Sequence, residues 1–89
     1  MNLRFFYKNN KPSNERETLI TSLTEAIANV ISLPPIIDVC LYDLGENVYG
    51  GIDKYKINKI GINYELSYDE IPMILTHELD RKSTRLNSS

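Results

Sequence analysis

A proline pair separates a predicted helix from the predicted strand that follows it. Asn14 lies three residues before Glu17, the spacing of a capping box, and predicts where the helix begins. Pro34 and Pro35 end it, because proline lacks the backbone N–H and disfavours helical geometry in the residue before it. Between these signals, apolar residues recur at three- and four-residue spacing, which predicts an amphipathic helix of four to five turns. They are Leu19, Ile20, Leu23, Ile27, Val30 and Ile31.

Strand signals flank this helix on both sides. Residues 2–7 suit a short first strand, and residues 36–42 are rich in β-branched and apolar types, as in an inner strand. Residues 59–64 alternate apolar and polar positions, which predicts a half-buried strand. Residues 48–52 predict another short strand, whose two glycines mark either a bulge or close backbone approach, or a plain turn.

A second helix begins near Ser67. Ser67 and Glu70 have capping-box spacing, and Leu66 and Ile71 occupy the positions of a hydrophobic staple. A start at Asp69 is equally compatible, because it leaves Pro72 in the first turn. We expect an α+β domain: an N-terminal strand and a long helix packed on a small sheet of three or four strands, followed by this second helix.

Within the second helix, His77 lies well inside and Glu78 follows it directly. Ile71, Ile74 and Leu75 form an apolar stripe that Glu78 extends, four residues beyond Ile74. A buried carboxylate without a partner is costly, so Glu78 is expected either to be paired or to serve a function.

Composition narrows the class of protein. The 89 residues are 42% hydrophobic and 25% charged, which is typical of one small globular domain. A net charge of -2 argues against a general nucleic-acid binder, since phosphate affinity comes from clustered Lys and Arg. The first residues contain no apolar run long enough for a signal peptide or a membrane span. A cytoplasmic protein is therefore expected.

The segment "IGINYELSYDEIPMILTHEL", residues 60–79, resembles the approach to the active site of zincin-type metallopeptidases. In that family a strand leads through a capped turn into the helix bearing H-E-x-x-H, and small phage and bacterial zincins are the most similar. The resemblance implies that His77 is the first Zn²⁺ ligand and Glu78 the general base for a zinc-activated water that hydrolyses a peptide or protein substrate. It also implies a substrate-pairing edge strand, for which the candidates are Val48, Tyr49, Gly50, Gly51 and Ile52.

The motif is incomplete, because Arg81 occupies the position of the second histidine and the chain contains no other His. Arginine cannot ligate zinc. Residues 80–89, "DRKSTRLNSS", resemble a translated sequencing adapter, since GAT CGG AAG AGC ACA CGT CTG AAC TCC AGT encodes them in order. We therefore expect residues 1–79 to be the N-terminal portion of a single zincin-like domain and residues 80–89 to be a non-native tail.

Three interpretations follow from these residues. The first is an N-terminal fragment of a zinc-dependent metallopeptidase, inactive as given and without stably bound Zn²⁺. The second is a non-catalytic zincin-like binding module in which Glu78 pairs with a basic group. The third is a small interaction domain in which His77 is an ordinary helix histidine.

Overall fold

Three strands form one parallel sheet in the computed structural model, which describes residues 2–8, 11–42 and 58–87. The strands are β1 (Asn2–Lys8), β2 (Ile36–Tyr42) and β3 (Lys59–Asn63), and their order in the sheet is β1-β2-β3. Parallel neighbours need a crossover connection, which α1 (Asn14–Ala28) supplies between β1 and β2. A second helix, α2 (Ile71–Asn87), follows β3. The predicted mixed α and β fold with a three- to four-stranded sheet is confirmed.

The core lies between one face of the sheet and the two helices. On β2, alternate residues Ile37, Val39 and Leu41 are buried, because successive side chains of a strand point to opposite faces. On β3, Ile60 and Ile62 belong to the same apolar cluster. The helices contact each other and cover this face with Ile20 from α1 and with Ile71, Leu75 and Leu79 from α2.

The opposite face of the sheet is more polar. Arg4 of β1 and Asp38 of β2 are register partners, and the Arg4 guanidinium donates to both carboxylate oxygens, at 2.7 and 3.1 Å. This forked pair raises the pKa of Arg4, chiefly through the hydrogen bond to Asp38. Phe6, on the same face, is 48% exposed. The helices therefore cover only one face of β1.

The predicted start of α1 is wrong by one residue. Ser13, not Asn14, caps the helix: its hydroxyl oxygen accepts from the Arg16 backbone N–H at 3.3 Å. The Ser13 backbone N–H donates to the Tyr7 hydroxyl oxygen at 3.1 Å, which holds Ser13 at the start of the helix. The Glu17 carboxylate accepts from the Tyr7 hydroxyl at 2.7 Å. The hydrogen bond between Tyr7 and Glu17 therefore takes the place of the predicted capping box of Asn14 and Glu17.

The C-terminal end of α1 also differs from the prediction. The helix ends at Ala28. The Asn29 N–H donates to the Ala26 carbonyl at 3.2 Å, and the Val30 and Ile31 N–H groups donate to the Ile27 carbonyl at 2.9 and 3.0 Å, which closes the last turn. Val30, predicted on the apolar stripe, is 83% exposed. The helix therefore ends before the prolines are reached. Pro34 and Pro35 keep the following residues from being helical, but they do not determine the last residue of the helix.

Candidate functional site

Helix α2 carries His77 and Glu78, the two residues that the motif singled out, and a short turn precedes its regular part. The Ser67 N–H and hydroxyl both donate to the Glu70 carboxylate at 3.1 Å, and the first of these bonds is one arm of the predicted capping box. The other arm does not form, because the Glu70 N–H donates to the Ser67 carbonyl at 3.0 Å and not to the Ser67 hydroxyl. The regular α-helix begins at Ile71, later than either predicted start, and residues 68–70 form a turn before it. Pro72 therefore falls in the first turn, where its missing N–H breaks no helix bond. His77 is the seventh residue of the helix, well inside it as predicted.

Glu78 lies on the buried side of α2. Its exposed fraction is 5%, and it continues the stripe formed by Ile71 and Leu75, both 1% exposed or less. Ile74, one turn before Glu78, packs against the same core. The sequence prediction that Glu78 extends the apolar stripe is therefore confirmed. A carboxylate in this position is partly stripped of water, which costs free energy unless another group compensates.

Arg81 is the ion partner of Glu78 among the residues that the structure describes. Arg81 Nη1 lies 3.5 Å from Glu78 Oε2, one helical turn further on. The two side chains differ sharply in environment, because 60% of the Arg81 side chain is exposed but only 7% of the Glu78 side chain. The long arginine reaches from the surface to the edge of the core. Arg81 occupies the position where the zincin motif has its second histidine.

His77 is exposed and lies beside a different part of the structure. It lines an open groove of about 580 Å³ between the C-terminal half of α1 and the middle of α2. The groove is mainly apolar, with Thr76, His77 and Asp80 as its polar side chains on α2. The remaining lining residues are Leu23, Ala26, Ile27, Val30, Ile31 and Met73.

The helix therefore places its two candidate residues in different surroundings. Neighbouring helix positions point about 100° apart, so burial of Glu78 turns His77 outward. Sequence reasoning identified both residues but missed the groove beside His77, because α1 and α2 lie far apart in the chain. The spacing of Leu23 and Ile27 on α1 was the available signal, and it indicated only a buried face.

The donor set present does not fit a zinc site. Among residues 2–8, 11–42 and 58–87, no group of three His, Cys, Asp or Glu side chains is placed to hold a metal ion. His77 supplies one imidazole, and Arg81 brings a permanent positive charge to the position of the second ligand. The candidate substrate strand, Val48 to Ile52, lies outside the described residues.

Comparison with protein-family models, curated proteins and solved structures finds no match to this chain. None of the helices in the described part of the chain combines the length and the apolar character needed to cross a bilayer.

Proposed function

We propose that this chain is the N-terminal fragment of a zinc-dependent metallopeptidase, of the small phage or bacterial zincin type, that hydrolyses peptides or proteins in the cytoplasm. In this proposal His77 is the first zinc ligand of the intact parent and Glu78 is the general base. The observation that carries it is the placement of Glu78, a carboxylate only 5% exposed beside an exposed histidine in the middle of α2. In this proposal, the catalytic role of Glu78 accounts for a carboxylate kept at a position where burial costs free energy.

As given, the chain is expected to be inactive and to bind Zn²⁺ only weakly. One imidazole does not make a catalytic zinc site, which takes three protein ligands. The second histidine and the third ligand belong to the parent sequence that the proposal places after Leu79.

The first test is made on DNA. The source locus is amplified with a primer inside the codons for residues 60–74 and sequenced past the codon for Leu79. A histidine codon at position 81 is expected. The full protein is then expressed, and we expect bound zinc and proteolysis that Glu78→Gln abolishes while zinc remains bound. A native continuation without histidine at position 81 rejects the metallopeptidase.

A second test uses the 89-residue chain itself. Arg81→His places two imidazoles four residues apart on one helix face, whereas Arg81→Gln removes the same charge without adding a ligand. A site that binds Zn²⁺ only in the folded state stabilises it by about 2.7 kcal/mol at a zinc concentration 100 times Kd. We expect zinc to raise the melting temperature of Arg81→His but not of Arg81→Gln. Equal responses would show that α2 does not present positions 77 and 81 as a metal-binding pair.

A non-catalytic zincin-like module or small interaction domain is the second candidate. The contact between Arg81 and Glu78 favours it, because a basic partner for the buried carboxylate removes the need for a catalytic role. The two candidates differ in one measurable respect. If the native locus encodes Arg or Lys at position 81 and the full protein purifies without zinc, the non-catalytic module is the better assignment.

A further inference from the structure

A cluster of tyrosines and one arginine lies at the carboxyl end of the sheet. Tyr7 is near the end of β1, and Tyr64 directly follows β3; their rings meet edge to face, with centroids 6.1 Å apart. Both helices begin at this end, because each follows a parallel strand. Helix N-termini carry partial positive charge, and in open parallel sheets ligands bind outside the carboxyl ends of the strands.

Arg16, in the first turn of α1, is held against two of these rings. The central carbon of its guanidinium lies 4.6 Å from the Tyr64 ring centroid and 5.1 Å from the Tyr68 ring centroid. The Tyr64 hydroxyl donates to the Lys11 carbonyl at 3.0 Å, which fixes that ring against the loop before α1. Stacking on aromatic rings fixes the plane of the guanidinium, so its N–H groups have a defined direction.

The hydrogen-bonding capacity of Arg16 is unused within the described part of the chain. No described acceptor receives a hydrogen bond from its side chain, and Nε is shielded from solvent without a partner. The Nη groups are not among the shielded atoms without a partner, and no described acceptor receives a hydrogen bond from them. A guanidinium has five N–H donors, and leaving them unmatched is unusual for a half-buried side chain.

Two carboxylates at the starts of the helices have other partners. Glu17 accepts the Tyr7 hydroxyl at 2.7 Å, and Glu70 accepts both donors of Ser67 at 3.1 Å. Neither forms an ion pair with Arg16 among the described residues, although both lie at the start of a helix on the same side of the sheet. Among the described residues, no carboxylate forms an ion pair with Arg16.

We infer that Arg16 binds a small oxyanion, a carboxylate or phosphate group, through its Nη edge at the carboxyl end of the sheet. Both groups offer paired oxygens that match the planar fork of a guanidinium. The rings of Tyr64 and Tyr68 fix that fork before binding, which lowers the entropy cost of association. The site is independent of the zinc proposal, since it uses neither His77 nor Glu78.

The test is a nuclear magnetic resonance titration of the ¹⁵N-labelled 89-residue chain with sodium phosphate and, separately, sodium acetate. Sodium chloride at matched ionic strength is the reference, because screening alone also shifts resonances. A saturable shift of the Arg16 Nε–Hε signal, with shifts of the amides around Ser13 and Tyr68, is expected with at least one of the two anions. The anion that binds more tightly shows whether phosphate or carboxylate is the preferred group.

Two variants make the assignment specific. Arg16→Gln should weaken binding by about tenfold or more, since it removes the charge-assisted hydrogen bonds to the anion. Arg4→Gln removes one charge from the other face of the sheet and should leave binding unchanged. A response equal to that of chloride, or one that survives in Arg16→Gln, overturns the inference. If Arg16→Gln does not fold, the wild-type Nε–Hε signal decides alone: saturation supports the site and a linear response rejects it.

Discussion

Replacement of Glu78 by leucine is expected to stabilise the protein. Glu78 is 5% exposed and lies in line with Ile71 and Leu75, so a leucine at this position joins an existing apolar stripe. Its ion partner, Arg81, has a side chain that is 60% exposed and returns to water when the carboxylate is removed. The change therefore removes a desolvated charge without leaving another charge buried.

The size of the effect follows from these two environments. Replacing a buried ion pair by apolar residues of similar volume is neutral or stabilising by about 1–4 kcal/mol, and burying a leucine side chain contributes about 1.5–3 kcal/mol. The lost contact with Arg81 costs little, because solvent screens its exposed end and surface pairs contribute about 0–1 kcal/mol. We expect Glu78→Leu to raise the free energy of unfolding by about 1–3 kcal/mol.

Urea unfolding followed by circular dichroism at 222 nm measures this change. With an m-value of about 1–3 kcal/mol/M, the midpoint should rise by roughly 1 M at unchanged slope. Leu75→Ala is the control on the same stripe: Leu75 is 0% exposed, and its truncation should cost about 2–5 kcal/mol. A lower midpoint for Glu78→Leu would show that the carboxylate stabilises the fold. Its burial would then no longer support a catalytic role.

Two further predictions concern the ends of the helices and the tyrosine cluster. Residues 1–79 alone should melt at a lower temperature and less cooperatively than the 89-residue chain, because α2 loses its last two turns and the buried Ser83. Calorimetry of both chains measures this difference. A sharp, cooperative melt of residues 1–79 would contradict the prediction. Burial raises the pKa of Tyr7 to about 12, from an ordinary value of 10.0. The unfolded chain therefore releases this proton first, so the stability that depends on the neutral phenol is fully present below pH 10 and is lost as the pH rises through 12. Absorbance at 295 nm should show a late-titrating phenol in the folded chain that Tyr7→Phe removes. A titration unchanged by Tyr7→Phe would refute the assignment.

Local sequence patterns predicted the elements well, because their signals act over a few residues. Apolar spacing located α1 and β3, and enrichment in β-branched and apolar residues located β2. The position of Glu78 four residues beyond Ile74 predicted its burial. These patterns depend on helix and strand periodicity, which any short segment expresses by itself. The same reasoning placed His77 inside α2, and the structure confirms that position.

Contacts between distant segments decided what the local patterns could not. Tyr7 of β1 selected Ser13 as the cap of α1 and engaged Glu17, so the capping box predicted from Asn14 did not form. The parallel order β1-β2-β3 likewise depends on which strands meet. Such choices involve partners far apart in the chain, whose pairing is set by packing of the whole core and not by residue spacing.

The candidate site shows the same division. The sequence by itself determined that a histidine and a glutamate stand side by side on a helix, and that an arginine follows the histidine by four residues. Only the tertiary structure decided their surroundings: packing of α2 on the sheet buries Glu78, and packing of α1 against α2 places His77 beside an apolar groove. A helix fixes the angle between two neighbouring side chains, but its rotation against the core determines which of them meets water.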